Sequence, residues 1–278
     1  MGVTGNTELL ATKAAIITSL VQKELKFQGK LGGTVTDVSV FAVKGAKSIA
    51  FPQFTSFAAE NRASAAAGTI QALTGNVDTL LLNINAYISW LIDSSDEIQS
   101  SVDVQSEFIK RAAAAHARYL DENIIAVLEA NAGLDVGAAP ITQSLILSAR
   151  EELLKNHADM NAVTMLVGPD QEKVMLGIAD FIRADAYGSS NIPNGVIGKV
   201  YGMPVMVHTG VAAGKAYWWD KAGVALGFQK QPAYGEEAKI EYGVGSKLAA
   251  IDQLYGVKAM QLGQLGKLAT ESPLIVKM

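Results

Sequence analysis

Three histidines and one group of carboxylates are the side chains of this sequence whose types could support chemistry. The histidines, His116, His157 and His208, are isolated from one another and lack the spacing of metal ligands. We interpret lone histidines of this kind as packing or surface residues, and not as ligands or general bases. The chain has no cysteine, which excludes disulfides, thiolate metal sites and thiol nucleophiles.

The carboxylates form the second candidate, because Asp93, Asp96, Glu97 and Asp103 stand close together in the sequence. They could be a carboxylate site. Acidic side chains also gather at the first turn of a helix, where the macrodipole stabilises their charge, and we favour that interpretation. These residues therefore predict neither a metal ion nor a catalytic pair.

Enzyme motifs are absent or incomplete. The segment GVIGKV, residues 195–200, resembles a phosphate loop superficially, but its spacing is wrong and Val200 stands where Ser or Thr is needed. The segment GVGSKL lacks the third glycine of a dinucleotide fingerprint, and the sequence has no G-x-S-x-G elbow. The sequence therefore predicts no enzyme and no cofactor.

Composition indicates a globular protein without a membrane span. The chain has 278 residues, of which 49% are hydrophobic and 18% charged, and its net charge is −4. No apolar run approaches the roughly 18 to 20 residues of a membrane helix. The N-terminus has no charged region ahead of its apolar part, so no signal peptide is predicted. No cluster of Lys and Arg is dense enough for tight nucleic-acid binding, which leaves only weak contact with DNA.

Four helices are predicted from apolar periodicity and helix-start residues. They cover residues 6–27, about 103–130, 142–157 and a segment with Pro169 in its first turn. The second would span about 42 Å. Its alanine run, residues 112–115, makes a thin waist where another backbone can approach closely. Packing contacts are expected at three positions of this waist, Ala112, Ala113 and Ala115.

Strands are predicted where β-branched and aromatic residues alternate with polar ones. The clearest is residues 77–92, which as one strand would run roughly 50 Å. The other predicted strands are residues 34–43, 162–167, 199–208, a pair around a turn within 215–229, 238–243 and 255–261. Trp218 and Trp219 must face opposite sides, so we expect one in the core and one at the surface or an interface. The mixed order indicates an α+β fold.

An aromatic stretch, residues 43–63, fits none of these elements. Phe51, Phe54 and Phe57 stand three apart, which suits neither a regular strand nor an amphipathic helix. The stretch is apolar but too irregular to bury well in its own core. We therefore expect it to pack against a surface outside its own domain.

In this order the segments resemble the major capsid protein of tailed bacteriophages, in particular its podovirus-like branch with the Hong Kong 97 type of fold. KGAKSIAFPQF is similar to the start of that family's extended loop. Residues 82–124, from LNINAYISW to YLDENI, are similar to its peripheral-domain strand, Asp-rich turn and long spine helix. LVGPDQEKVML, GVIGKVYGMPVMV and YGVKAMQ are similar to axial and closing peripheral segments. The resemblance covers about residues 30–260.

The resemblance implies a division of the chain into an arm, a loop and two interleaved domains. The implied parts are an N-terminal arm at 1–31, an extended loop at 32–76, a peripheral domain at 77–135 with its spine helix at about 103–130, an axial domain at 136–215, a peripheral return at 216–240, an axial return at 241–253, and a closing peripheral strand with the C-terminal tail at 254–278.

In this family the extended loop leaves its subunit as a two-stranded arm and lies over a neighbour. An isolated two-stranded ribbon is marginal in water, so its apolar residues need a partner surface. The implied intersubunit contacts are Lys44, Lys47, Phe51, Phe54, Phe57 and Arg62. Some relatives cross-link a loop lysine to a neighbour's asparagine, but nothing in this sequence identifies such a pair.

The function implied is self-assembly through pentamers and hexamers into an icosahedral shell that encloses a phage genome. The implied partners are further copies of the chain, a separate scaffolding protein, a portal protein, a candidate decoration protein and packaged DNA, with no membrane. A separate scaffold is expected because the arm-like helix starts by Thr7. The implied location is the virion, after assembly in the host cytoplasm. The alternatives are an encapsulin-type shell around cargo enzymes and, more remotely, a small-molecule enzyme of α+β type.

Overall fold

The computed structural model describes residues 30–54, 59–62, 64, 68–71, 75–93, 104–137, 140–178, 198–260 and 272–278. Several predictions from the sequence lie outside these residues, namely those for the helix at 6–27 and for Asp96, Glu97, Asp103 and Phe57.

Helices and strands follow one another in mixed order, which confirms the α+β class. In chain order the elements are β1 (Thr36–Asp37), β2 (Ser48–Phe54), β3 (Gly75–Leu81), β4 (Ile84–Ile92), α1 (Val104–Asn131), β5 (Ala132–Asp135), α2 (Gln143–Lys155), β6 (Val163–Val167), α3 (Pro169–Leu176), β7 (Lys199–Val200), β8 (Met203–Val207), β9 (Ala216–Asp220), β10 (Val224–Ala238), β11 (Lys247–Ala259) and β12 (Ser272–Lys277).

The described helices lie where local signals predicted them. The Thr142 side chain accepts a hydrogen bond from the backbone N–H of Leu145 and so caps the start of α2. Pro169 occupies the first turn of α3, where its missing N–H costs nothing. Helix α1 has the predicted length, and none of the helices in the described ranges is long and apolar enough to cross a membrane.

Within the described residues the strands form three sheets. A four-stranded sheet has the order β1-β10-β11-β4, a six-stranded sheet the order β5-β12-β9-β6-β8-β7, and β2 pairs only with β3. The long antiparallel pair of β10 and β11 forms the centre of the four-stranded sheet, and α1 packs against its face. Helix α2 packs on the six-stranded sheet.

Strand β9 joins two hydrophobic cores. Trp218 packs in the core beneath α2, and Trp219 packs in the core beneath α1. The two rings face opposite sides as expected, but both are fully buried, so the expectation that one would lie at the surface is wrong. The reason is that β9 lies between β12 and β6 with a helix over each face, which a period-two pattern cannot reveal.

The prediction of a single strand at 77–92 is wrong, because the strand is interrupted at Leu82 and Asn83. Strand β3 belongs to the two-stranded sheet and β4 to the four-stranded sheet. At the break the backbone N–H of Leu82 donates to the Lys47 carbonyl at 3.0 Å, which closes the neck of the ribbon. The apolar alternation runs through the break because Leu80, Leu82 and Ala86 are all buried.

Five other strand predictions need correction. Within 34–43 only β1 is a strand, because the Asp37 carboxylate accepts from the Ser39 N–H and starts a turn. The segment 199–208 is a hairpin that turns at Tyr201 and Gly202. Strands β9 and β10 flank a turn without pairing with each other. The segment 238–243 is largely a 3-10 turn, and the strand predicted at 255–261 begins earlier, at Lys247.

Candidate assembly surfaces

The ribbon formed by β2 and β3 has two faces of opposite character. Its register pairs Ser48 with Leu81 and Phe54 with Gly75, and directly paired residues lie on the same face. The outer face is exposed except for half-buried Thr79, carries no charge and is mostly apolar. It consists of Ser48, Ala50, Pro52, Phe54, Gly75, Val77, Thr79 and Leu81. On it Phe54, Val77 and Leu81 are 55%, 60% and 56% exposed.

The inner face holds the ribbon to its own subunit. Ile49 and Leu80 are buried there with Val38 and Ala225, and Phe51 packs partly against this cluster. A spacing of three residues in a strand therefore places Phe51 inward and Phe54 outward. The two phenylalanines therefore lie on opposite faces of the ribbon, although both belong to the same three-residue spacing in the sequence.

The other residues expected in intersubunit contacts are spread over the ribbon and its flanks. Lys44, Lys47 and Arg62 are exposed. A second exposed apolar group, not predicted from the sequence, lies on the turn before β2. There Val40 is 90%, Phe41 62% and Val43 68% exposed. The strand predicted at 34–43 did not indicate this group, because side chains alternate between the two faces of a strand and half of these residues would then lie in the core.

The alanine waist contacts the subunit's own sheet. Ala112 and Ala113 are buried with Tyr234 and Ile251 in the contact between α1 and the four-stranded sheet. Ala115 points to the other flank of the helix and is exposed. The small side chains let α1 lie close to β10 and β11.

A cleft of about 350 Å³ runs between α1 and β4, with Tyr87, His116 and Tyr119 among its lining residues. His116 is 1% exposed, and neither of its ring nitrogens makes a hydrogen bond of good geometry among the described residues, although the Ile251 backbone and the Asp252 carboxylate lie near enough to oppose the effect of burial on its pKa. Burial lowers the pKa of this imidazole, because the charged form loses its hydration. His116 is therefore a neutral packing residue, in agreement with the sequence analysis.

The other histidines also occupy structural positions. His157 is exposed and adopts a left-handed backbone angle, with φ of 60°, just after α2. His208 is buried, accepts a hydrogen bond from the Gly210 N–H at Nδ1, and lies 3.4 Å from the Asp121 carboxylate. Asp93 is half-buried at the end of β4. Within the described ranges no group of His, Asp and Glu side chains could hold a metal ion.

The far end of the four-stranded sheet presents another apolar surface. The turn between β10 and β11 exposes Ile240 by 76%, Tyr242 by 57% and Val244 by 88%. Gly243 and Gly245 have positive φ angles of 129° and 96°, which shape this turn. This turn and the outer ribbon face are therefore two separate exposed apolar surfaces of the subunit. Exposed apolar surfaces of this kind are expected of a subunit that assembles with copies of itself.

The comparisons with known proteins agree with this architecture. Residues 18–254 match the family model described as phage capsid protein. No curated protein sequence matches the chain. A protein of Mycobacterium phage Che8 has the same fold, with a TM-score of 0.71, 17% identity and 90% of each chain covered.

Two further solved structures share the fold. The capsid of cyanophage P-SCSP1u has a TM-score of 0.68 and 14% identity, with 88% of this chain and 85% of that chain covered. A virus-like particle from Pyrococcus furiosus has a TM-score of 0.62 and 8% identity, with 96% and 99% covered.

The family match covers most of the chain and names phage capsid proteins, so it does not favour the encapsulin alternative, and it indicates a structural protein. The layered architecture, with α1 along the four-stranded sheet and a separate ribbon, is the Hong Kong 97 type of fold. The chain belongs to the phage capsid protein family and is a major capsid protein, a shell subunit of the virion.

Proposed function

We propose that the β2–β3 ribbon is the arm by which each subunit holds the next copy, and that the copies form pentamers and hexamers of an icosahedral shell around the phage genome. The observation that carries this proposal is the uncharged outer face of the ribbon, with Phe54 and Val77 more than half exposed. A two-stranded ribbon is marginal in water, so this face needs a partner surface. A shell of one chain supplies that surface on the adjacent copy.

The test separates the two faces of the ribbon. The double variant Phe54→Ala, Val77→Ala should leave the subunit's melting temperature nearly unchanged, because both side chains are already exposed. It should weaken every intersubunit contact, since burying one such side chain contributes about 1.5 to 3 kcal/mol. When the scaffolding protein is co-expressed, we expect folded subunits that fail to close into shells, as seen by sedimentation and negative-stain microscopy.

Phe51→Ala is the matched control, because Phe51 packs partly on its own subunit. This variant should lower the melting temperature. If the outer-face double variant lowers the melting temperature as much as Phe51→Ala does, or forms normal shells, the ribbon is not an intersubunit arm.

The division into domains follows the two larger sheets. In the proposed division the peripheral domain consists of α1 with β4, β10 and β11, in place of the axial return expected at 241–253. The axial domain consists of α2, α3 and the six-stranded sheet, including β5 and β12, which were expected to be peripheral. Strand β9 pairs with β6 and β12, which supports an axial place for it and a return to the peripheral domain only at β10. Expressing residues 136–220 alone would test this division, because that fragment lacks β5 and β12 of the six-stranded sheet and should not fold.

The remaining partners are a scaffolding protein, a portal protein and a decoration protein, with assembly in the host cytoplasm before the subunit enters the virion. Exposed apolar residues at Val40, Phe41 and the outer ribbon face support a chaperoning scaffold, because these surfaces lie open before assembly. DNA contact is weak, in keeping with the net charge of −4.

A further inference from the structure

Two glycines lie directly opposite each other at the centre of the four-stranded sheet. Gly227 of β10 pairs with Gly256 of β11 in the antiparallel register. Paired residues share a face, and Tyr255, the neighbour of Gly256, contacts α1 through Asn123. The glycine pair therefore faces away from α1, toward the root of the β2–β3 ribbon.

The space above these glycines is occupied by the ribbon root. A Cβ atom at Gly256 would lie 2.0 Å from the carbonyl oxygen of Leu81 and 3.3 Å from the Cα of Leu82. A Cβ atom at Gly227 would lie 3.2 Å from a side-chain carbon of Ile49 and 3.3 Å from one of Leu80. The chain that leaves β3 thus crosses β11 in direct backbone contact.

Close approach, and not backbone conformation, is the reason for glycine at these two sites. Both residues lie in regular antiparallel pairing, and neither has a positive φ angle. Gly235, also in β10, has no atom within 4 Å of a Cβ placed on it. A side chain would therefore meet neighbouring atoms at Gly227 and Gly256, whereas Gly235 has room for one.

A polar clamp lies beside the glycine pair. Lys258, two residues after Gly256 in β11, donates to the Asp78 carboxylate and, at 2.9 Å, to the Thr79 carbonyl oxygen. Asp78 is only 5% exposed, so this ion pair is shielded on the ribbon side. Just before β2, the Gln229 side chain of β10 donates to the Val43 and Ala46 carbonyl oxygens at 3.0 Å and 2.6 Å.

We propose that the Gly227–Gly256 pair and the Lys258–Asp78 pair form a joint that sets the angle of the ribbon to the body, and that this joint determines the geometry of the shell. The inference rests on the proposed function of the ribbon as the intersubunit arm. Seven residues of strand extend about 23 Å. A tilt of about 10° at the root would move the far end by about 4 Å, which exceeds the tolerance of a van der Waals contact.

Three variants test the joint at the level of the isolated subunit. Gly256→Ala forces the ribbon away from β11, because the obstacle is backbone. Gly227→Ala is milder, because the obstacles are side-chain ends that can shift by a few tenths of an ångström. Gly235→Ala is the control in open space. Hydrogen–deuterium exchange of residues 47–54 and 75–82 should become at least about tenfold faster in the first variant and stay unchanged in the control.

Assembly then tests the second half of the proposal. Co-expressed with the scaffolding protein, Gly256→Ala and Gly227→Ala should yield shells of altered diameter or open sheets by electron microscopy, and Gly235→Ala should yield normal shells. Uniform shells of normal diameter from a variant with faster exchange would overturn the proposal. If Gly256→Ala gives no soluble subunit, Gly227→Ala decides by the same two measurements, and unchanged exchange together with normal shells would overturn the proposal.

A failure of the joint proposal can be distinguished from a failure of the proposed function of the ribbon. If the arm itself is unimportant, the double variant of Phe54 and Val77 will assemble normally. In that case the exchange measurement on the isolated subunit still reports whether the joint is rigid.

Discussion

The backbone N–H of Leu31 donates a hydrogen bond of 3.1 Å to the Asp121 carboxylate, although the two residues are 90 positions apart. The carboxylate also accepts from the Lys30 N–H at 3.1 Å, and Nε2 of His208 lies 3.4 Å from it. Leu31 and Asp121 are 0% and 1% exposed. One side chain of α1 thus fixes the point at which the N-terminal segment joins the body.

Replacing this carboxylate should loosen the junction. Asp121→Ala leaves the buried N–H of Leu31 and the partly buried N–H of Lys30 without their acceptor, and an unpaired buried group costs about 1–3 kcal/mol. We expect the free energy of unfolding in urea to fall by about 2–4 kcal/mol. Glu122→Ala, at the exposed neighbouring position, is the control and should change little. Equal stability of the two variants would show that Asp121 does not anchor the segment.

The alanine waist provides a second prediction, with its control on the same helix. Ala113 is 0% exposed against Tyr234 and Ile251, so Ala113→Arg forces a charge and a large volume into the contact. We expect loss of more than about 4 kcal/mol, an insoluble product and no assembly. Ala115→Arg, at an exposed position of the waist, should give soluble subunits with a nearly normal melting curve. Similar behaviour of the two variants would contradict the observed helix register.

Helices were predictable because their signals are local. The Thr142 cap and Pro169 act on residues within one turn, so sequence alone places the start of α2 and of α3. The break between β3 and β4 was not predictable in this way. It depends on the crossing of Leu81 over Gly256, a residue far along the chain whose role no local pattern encodes.

The candidate site was predictable only in part for the same reason. The aromatic stretch indicated an exposed ribbon, and Phe54 is exposed. The inward position of Phe51 depends on Val38, Leu80 and Ala225, which come from three separate segments. Likewise, both Trp218 and Trp219 are buried because two different helices cover β9, a tertiary arrangement that overrides the alternation of a single strand.

The proposed need for a scaffolding protein gives a third prediction. Expression of this chain alone should produce aberrant or open assemblies, because the outer ribbon face and the turn at Val40 to Val43 can then associate without guidance. Co-expression with the scaffolding protein of the same phage should give uniform shells. Electron microscopy of both preparations is the measurement. Uniform shells from the single gene would contradict this prediction.

His116 gives a prediction about pH. Its pKa lies below the ordinary value of about 6.5, because burial disfavours the charged ring. Below that pH the unfolded chain binds a proton that the folded chain resists, so the free energy of unfolding should fall as pH is lowered. Above pH 7 both states are neutral at this site and the effect vanishes. The contribution of neutral His116 to the free energy of unfolding is therefore fully present at neutral pH, and it is lost progressively as the pH falls below about 6.5.

The variant His116→Leu removes this proton site and also removes two buried nitrogens that make no hydrogen bond of good geometry in the described part of the chain. It should be at least as stable as the parent at pH 7, since an unpaired buried polar group costs about 1–3 kcal/mol. Its loss of stability between pH 7 and pH 5.5, measured by urea unfolding, should be smaller than that of the parent. His157→Asn is the control, because His157 is exposed and asparagine tolerates its left-handed backbone. An unchanged pH slope in His116→Leu, or destabilisation at pH 7, would mean that the imidazole finds a partner in the folded protein and that the cleft beside α1 is a polar site.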